Sequence, residues 1–318
     1  MKRTISPRPL QTPVPSSSPW LPRPSDRFRV NRVVHIFPAA ILVLLTSCSG
    51  RFGDKGNNKQ GLRIVSVSKQ LTEIIFAVGG DTALVGVDIS STWPPAAKKI
   101  TAVGYHRALN PEGIISLNPT AVWNDGNWGP PATIEQLKKV GIPLRQFDGG
   151  NTIDSTKLLI RLLANEFHNP RAGDSICDRL DRDMARADSF RRTFADTPKV
   201  LVIHFGQAAN QYFVLSHRGT QQQMLDWAGA VNVADTAQKW KNLSAEVIAK
   251  AQPDVILATD YGFDLQGSVE KFKSLPGVSL SPAAKNNRIY RVEEHDLVYL
   301  GPRTGQNVYE LIRLIHKP

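Results

Sequence analysis

Arg63-Ile-Val-Ser-Val67, then Thr72-Glu-Ile-Ile-Phe-Ala-Val78 closed by Gly79-Gly80, then Ala83-Leu-Val-Gly-Val87: this stretch decides the fold class. A short β-branched run is followed by residues at helical spacing, a glycine stop and a second β-branched run. That is the signature of a strand–helix–strand crossover, which pairs its strands in parallel. The pattern continues outward. A helix is expected over 110–117, a strand over 120–123, a helix over 133–140 stopped by Gly141, and a strand over 142–147.

From about Thr152 to Phe194 the strand signal disappears. Leu158, Leu159, Leu162, Leu163, Ile176, Leu180 and Met184 recur at helical spacing among charged residues, interrupted at Asn169-Pro170. Alternation then resumes, with strands over 199–203, 254–258 and 288–292 and helices over 221–228, 269–275 and 304–316. The expected fold is α/β: two three-layer lobes with mostly parallel sheets, joined by a long helical connector, with a ligand cleft between them. The boundaries read as 61–150 for the first lobe, 151–197 for the connector and 198–318 for the second lobe.

One echo links the halves. Asn110-Pro-Glu112-Gly-Ile-Ile-Ser-Leu-Asn-Pro119 precedes a strand, as does Ser244-Ala-Glu246-Val-Ile-Ala-Lys-Ala-Gln-Pro253. Each has a capping residue, a Glu two positions on, a short apolar helix and a proline. The cap satisfies free backbone N–H groups, and the Glu meets the positive helix end, worth about 0.3–1 kcal/mol.

The 318 residues carry a formal net charge of +11. Lys2, Arg3, Arg8, Arg23, Arg27, Arg29 and Arg32 stand against Asp26 alone before Cys48, so the remainder carries only +5. No basic stripe is interleaved with aromatics, and nucleic acid is not an expected partner. Arg27, Arg29 and Arg32 precede the apolar run Ile36–Leu45, which is short for a membrane span and has the order of a secretory signal. Leu45-Thr-Ser-Cys48 follows it. Residues 1–47 therefore read as a signal segment, with the Pro- and Ser-rich 6–25 as an extension upstream of the true start. Residues 48–60 read as a tether. Cys177 is the remaining cysteine, so no internal disulfide or cysteine cluster supports the fold.

The chemistry concentrates in Gly104-Tyr-His-Arg-Ala-Leu-Asn-Pro-Glu-Gly113. Tyr105 offers a hard oxygen donor, His106 an imidazole and Arg107 a cation. No Gly-x-Ser-x-Gly elbow, phosphate loop or dinucleotide fingerprint accompanies them, so no enzyme is expected. The seven histidines are scattered, which disfavours a zinc or manganese receptor.

Leu45–Cys48 resembles the lipobox of bacterial lipoproteins. With the two lobes, the connector and the paired Glu helices, the chain resembles substrate-binding lipoproteins of ABC importers, of the rigid-helix class serving cobalamin, siderophores and heme. The 104–113 segment, Arg218-Gly-Thr220 before a helix ending Ala228-Gly-Ala-Val-Asn232, and Gly301-Pro-Arg-Thr-Gly305 resemble the heme (hemin) transporter subgroup. That resemblance implies heme as transported ligand, Tyr105 as an iron ligand with Arg107 beside it, and His204 as a second-lobe ligand. It implies Arg218 and Arg303 as partners for heme propionates, and Glu112 and Glu246 as docking points for the permease. His106 stays open: it can replace Tyr105 on iron, touch the porphyrin edge or point away. Trp93, Trp123 and Trp128 are candidate flat walls. The remaining implications are a monomer lipidated on Cys48 at the periplasmic face of the envelope, with permease and ATPase subunits as partners. A ferric siderophore, cobalamin or another metal chelate is the alternative cargo.

Overall fold

Strand β1 (Ile64–Ser66) is buried on both faces, as an apolar run without polar alternation must be inside a parallel sheet. It belongs to a computed structural model that describes residues 61–207, 209–234 and 240–317. The signal segment, Cys48 and the tether lie outside the described residues. Helix α1 (Lys69–Ala77) starts at Ser68, whose hydroxyl accepts from the Leu71 N–H at 3.4 Å. It ends just before Gly79, which takes the left-handed φ of 82° that a helix stop requires. Strand β2 (Leu84–Val87) returns beside β1.

Helix α2 (Pro111–Ile115), β3 (Ala121–Asn124), α3 (Pro131–Lys139) and β4 (Leu144–Gln146) complete the first lobe. Its sheet runs β2-β1-β3-β4, parallel throughout. One face packs Ile64 and Trp123 against Leu71, Ile74 and Ile75 of α1. The other packs Val65 and Val122 against Ile114 and Leu137 of α2 and α3. Three layers follow directly from that alternation.

The connector is two helices, α4 (Ile153–Glu166) and α5 (Pro170–Arg191), broken at Asn169-Pro170 as the sequence implies. Thr152 and Ser155 form a reciprocal capping box at its start. Ile176, Cys177 and Leu180 of α5 enter the first lobe's core, and Ala187 enters the second's. One helix therefore contributes to both cores.

The second lobe contains β5 (Lys199–Gly206), β6 (Gln211–Leu215), α6 (Thr220–Trp227), β7 (Val231–Asn232), β8 (Trp240–Asn242), α7 (Ala245–Ala251) and β9 (Val255–Thr259). It continues through α8 (Asp260–Gln266), α9 (Val269–Lys273), α10 (Pro282–Lys285), β10 (Ile289–Val292), α11 (Glu294–Val298) and α12 (Thr304–Ile315). The sheet order is β10-β9-β5-β6-β8, with β7 on β5. Strands β10, β9, β5 and β7 pair in parallel, whereas β6 and β8 add antiparallel. Val200, Val202, Val255 and Leu257 face α6 and α12, while Leu201, Ile203, Ile256 and Ala258 face α7, α9 and α10. The echo holds in space: Asn110 caps α2 and Ser244 caps α7, leaving Glu112 and Glu246 exposed in the first turns.

Helix α12 lies on α5 through Gly305. A Cβ there would stand 2.6 Å from backbone atoms of Asp183 and Met184, which cannot yield. Gly305→Ala should therefore lower stability by about 1–3 kcal/mol, the usual cost of overpacking. A urea midpoint within error of the wild type would contradict this close approach.

Candidate functional site

The turn after Gly104 fixes the first wall of the site. Gly104 takes φ 105°, a conformation glycine adopts without Cβ strain. The Ala108 N–H donates to the Tyr105 carbonyl at 2.7 Å, the Gly129 N–H to the His106 carbonyl at 2.8 Å, and the Leu109 N–H to the Gly129 carbonyl at 3.0 Å. Tyr105, His106 and Arg107 thus project from a pinned backbone. They line a cavity of about 300 Å³ whose far wall carries His204, Trp240 and Glu294 from the second lobe. Phe213, Leu215 and Val298 add apolar surface. An adjoining groove of about 710 Å³ shares Arg107, Asn127 and Tyr299 with it and reaches Gly150 and Gly219.

The donors differ in character. Tyr105 is half-buried, and burial pushes its phenol above the ordinary value, outweighing the opposite pull of Arg107 and Lys69. Arg107 alone would favour the phenolate, but desolvation outweighs it. Arg107 donates to Asn127 Oδ1 at 2.9 Å. Tyr105 keeps its proton until a metal competes for it. Burial pushes His204 below the ordinary imidazole value, so it stays neutral with a free lone pair near neutral pH. Its Nδ1 lies 3.1 Å from Thr259 Oγ1, and the Trp240 ring faces it at 6.3 Å. His106 is buried, with Nδ1 3.4 Å from Asp88 Oδ2 and its ring 4.4 Å from that of Tyr105.

Below the cavity, α1 reaches across to the second lobe. Lys69 Nζ bonds Glu294 Oε2 at 2.9 Å and sits 5.0 Å from the Tyr299 ring centre. Gln70 donates to the Leu300 carbonyl at 2.7 Å. Glu73 pairs with His295 and, at 2.9 Å, with Arg303, which also holds Asp296 at 2.6 Å. Burial alone pushes Glu73 and Glu294 upward, but their basic partners outweigh it and hold both carboxyls below the usual range. Burial also pushes Tyr299 up to about 12.

A pH dependence follows from the sign of those shifts. Unfolded Glu titrates near about 4.3 and these two titrate lower when folded, so their stabilisation is complete above that value. It is lost as pH falls through the folded values. Thermal stability should drop between about pH 5 and about pH 3, and Glu294→Gln should flatten part of that drop. An identical profile in the variant would show that Glu294 contributes nothing.

Of the sequence-predicted residues, the fold brings Tyr105, His106, Arg107 and His204 together around one cavity. Arg303 instead joins the lobes, with its guanidinium 4.0 Å from the Trp93 ring centre. Two carboxylates hold it there, and it does not line the cavity. Trp128 packs on the first lobe's core and Trp123 is fully buried in it, so neither faces the cavity. Arg218 is exposed, and its carbonyl accepts from Gln221; the neighbouring Gly219 and Thr220 line the groove. Trp240, Glu294 and the α1 polar row escaped sequence reading. Lys69 and Glu73 stand four apart on a largely apolar helix, the one local sign available.

Residues 64–295 match the periplasmic binding protein family. The chain belongs to that family. Its fold is similar to the periplasmic heme-binding protein RhuT from Roseiflexus sp. RS-1, with a TM-score of 0.74 and 35% identity over 80% of this chain and 98% of that one. Similarity to the periplasmic heme-binding protein BhuT in complex with two hemes gives 0.71 and 31%, over 80% and 97%. The vitamin B12-binding protein of Pectobacterium atrosepticum is 28% identical over 201 residues, 61% of this chain and 70% of that protein. The uncharacterized ABC transporter substrate-binding lipoprotein YvrC of Bacillus subtilis is 28% identical over 261 residues, 81% of each. This periplasmic binding protein thus falls in the class that serves heme, vitamin B12 and siderophores, and its family members are substrate-binding transport proteins.

Proposed function

We propose that this periplasmic binding protein captures heme between its lobes and delivers it to the permease of an ABC importer. The observation that carries this reading is the convergence of a phenol and two imidazoles, Tyr105, His106 and His204, on one partly apolar cavity. Phenolate oxygen suits ferric iron, and both Tyr and His ligate heme iron. Trp240 and Phe213 offer apolar faces to a porphyrin, and Arg107, at the junction with the groove, suits a propionate. Arg218 is a second propionate candidate from the groove's rim.

Cobalamin is the second reading, favoured by the vitamin B12-binding relatives. It carries its own metal ligands and needs no phenol or imidazole from the protein. Titration with hemin and, separately, with cyanocobalamin distinguishes the two. Heme capture predicts a shifted, saturable Soret band with hemin and no uptake of cyanocobalamin; the reverse outcome replaces heme with cobalamin. In the same reading Glu112 and Glu246 meet cationic residues of the permease, pairs that orient docking more than they add affinity. Lipid on Cys48 would hold this monomer at the periplasmic face of the envelope, next to the permease and ATPase subunits.

A further inference from the structure

A buried carboxylate behind a cavity histidine is a specific arrangement, and Asp88 supplies it. Asp88 is 1% exposed and is gathered by its own turn. The Ser91 hydroxyl donates to its Oδ1 at 2.5 Å, and the Ser90 N–H to its Oδ2 at 3.1 Å. His106 Nδ1 faces the same Oδ2 at 3.4 Å. A carboxylate there selects the tautomer with the proton on Nδ1, which leaves the lone pair on Nε2 of a ring that lines the cavity. It also strengthens that nitrogen as a donor. Tyr105, the adjacent residue on the same pinned turn, opens onto the same cavity. Two neighbouring residues on one wall cannot take opposite faces of one porphyrin. They are alternatives for the same coordination position.

We infer that the first-lobe wall carries two alternative iron donors: Tyr105 for ferric heme, and His106, aimed by Asp88, for ferrous heme. This rests on the heme reading above. The chemistry follows from charge. A phenolate is a hard anion whose affinity falls when iron drops from three positive charges to two, whereas neutral imidazole loses much less. When a one-electron reductant from solution reduces Fe(III) to Fe(II), the iron–oxygen bond to Tyr105 breaks and the phenolate takes a proton from water. A bond from Fe(II) to His106 Nε2 then forms. The site thereby keeps hold of its cargo in either oxidation state.

The test uses a His204→Ala background, which removes the other cavity imidazole. The protein is loaded with hemin, its absorption spectrum recorded, then reduced anaerobically with sodium dithionite and recorded again. The parent should pass from an oxygen-ligated ferric spectrum to an imidazole-ligated ferrous one. Adding His106→Gln, which preserves a side-chain donor towards Asp88, should leave the ferric spectrum intact and abolish the ferrous imidazole signature. The intact ferric spectrum reports that the variant is folded. Asp88→Asn should retain the imidazole signature but lower the iron–histidine stretching frequency in resonance Raman spectra. An unchanged ferrous spectrum in His106→Gln overturns the assignment while leaving heme binding in place. Failure of the wild-type protein to take up hemin overturns both.

Discussion

Hemin affinity should fall more than about 100-fold in Tyr105→Ala, because even the outer partners of metal-bound residues cost about 10- to 100-fold. The ferric spectrum should also lose its oxygen-to-iron character. Tyr105→Phe separates the oxygen from the ring: it keeps the half-buried aromatic surface and should behave like Ala spectroscopically, with a smaller loss of affinity. The state of the free side chain adds a second, independent readout. Burial holds Tyr105 above the ordinary phenol value, so it is protonated throughout about pH 7–9. Its coordination to iron must expel that proton. Burial holds His204 below the ordinary imidazole value, so this residue takes up no compensating proton in that range. The affinity should consequently rise by about tenfold per pH unit, corresponding to one proton released per hemin. Tyr105→Phe should flatten this slope. Binding by Tyr105→Phe within about threefold of wild type, on an unaltered slope, would remove Tyr105 from the iron, since threefold is well below one ligand's share.

What the sequence disclosed of this site, and what it concealed, has a physical division. Strands buried on both faces appear as continuous apolar runs, so β1, β3, β5 and β9 were legible, as were the break at Asn169-Pro170 and the paired helices α2 and α7; β10, with Arg291 exposed, showed through Ile289 and Val292. Strands β6 and β8 were not. They lie on the open side of the second sheet: β8 has Trp240, Lys241 and Asn242 all exposed and forms no apolar run, while the run Tyr212-Phe-Val-Leu215 of β6 is too short to be told from a helix segment by periodicity. Short α8 and α11 escaped because, unlike α2 and α7 of the same lengths, neither has a capping side chain at its start. At the site, Tyr105, His106 and Arg107 were visible because they adjoin one another. Asp88 was not, since its partner His106 lies 18 positions away across a turn. The Gly301–Gly305 segment was visible, but its place between the lobes was not. Gly301 closely approaches Glu73, Arg303 bridges Glu73 and Asp296, the Thr304 hydroxyl accepts from the Gly301 N–H at 2.8 Å, and Gly305 admits α5. Each of those residues serves the junction between lobes, which no local pattern encodes.

That junction gives the largest expected stability effect. Glu73 is 5% exposed and holds two basic side chains, His295 and Arg303, that both come from the second lobe. Glu73→Ala removes the carboxylate and leaves those groups short of a partner in a place water reaches poorly. His295 Nδ1 is already a buried atom without a hydrogen bond, so its ring would then lose the contact at Nε2 as well. Breaking a buried ion pair from one side costs about 3–5 kcal/mol. For a chain of this size, at about 2–4 °C per kcal/mol, the melting temperature should fall by about 6–20 °C. Arg303 keeps Asp296 in the variant, which places the expected loss towards the lower end. Removing both charges tests the cause. Glu73→Leu with Arg303→Met should recover part of the loss, because an apolar pair of similar volume avoids the desolvation that an unpaired guanidinium suffers. The cavity also depends on this joint. Lys69 and Glu294 form the next contact along α1, and Glu294 is part of the far wall. Loosening the joint should therefore weaken hemin binding, though less than Tyr105→Ala, since no iron donor is lost. A melting temperature within about 2 °C of wild type for Glu73→Ala would mean that α1 and the second lobe are held mainly by apolar contacts, with the charges contributing little.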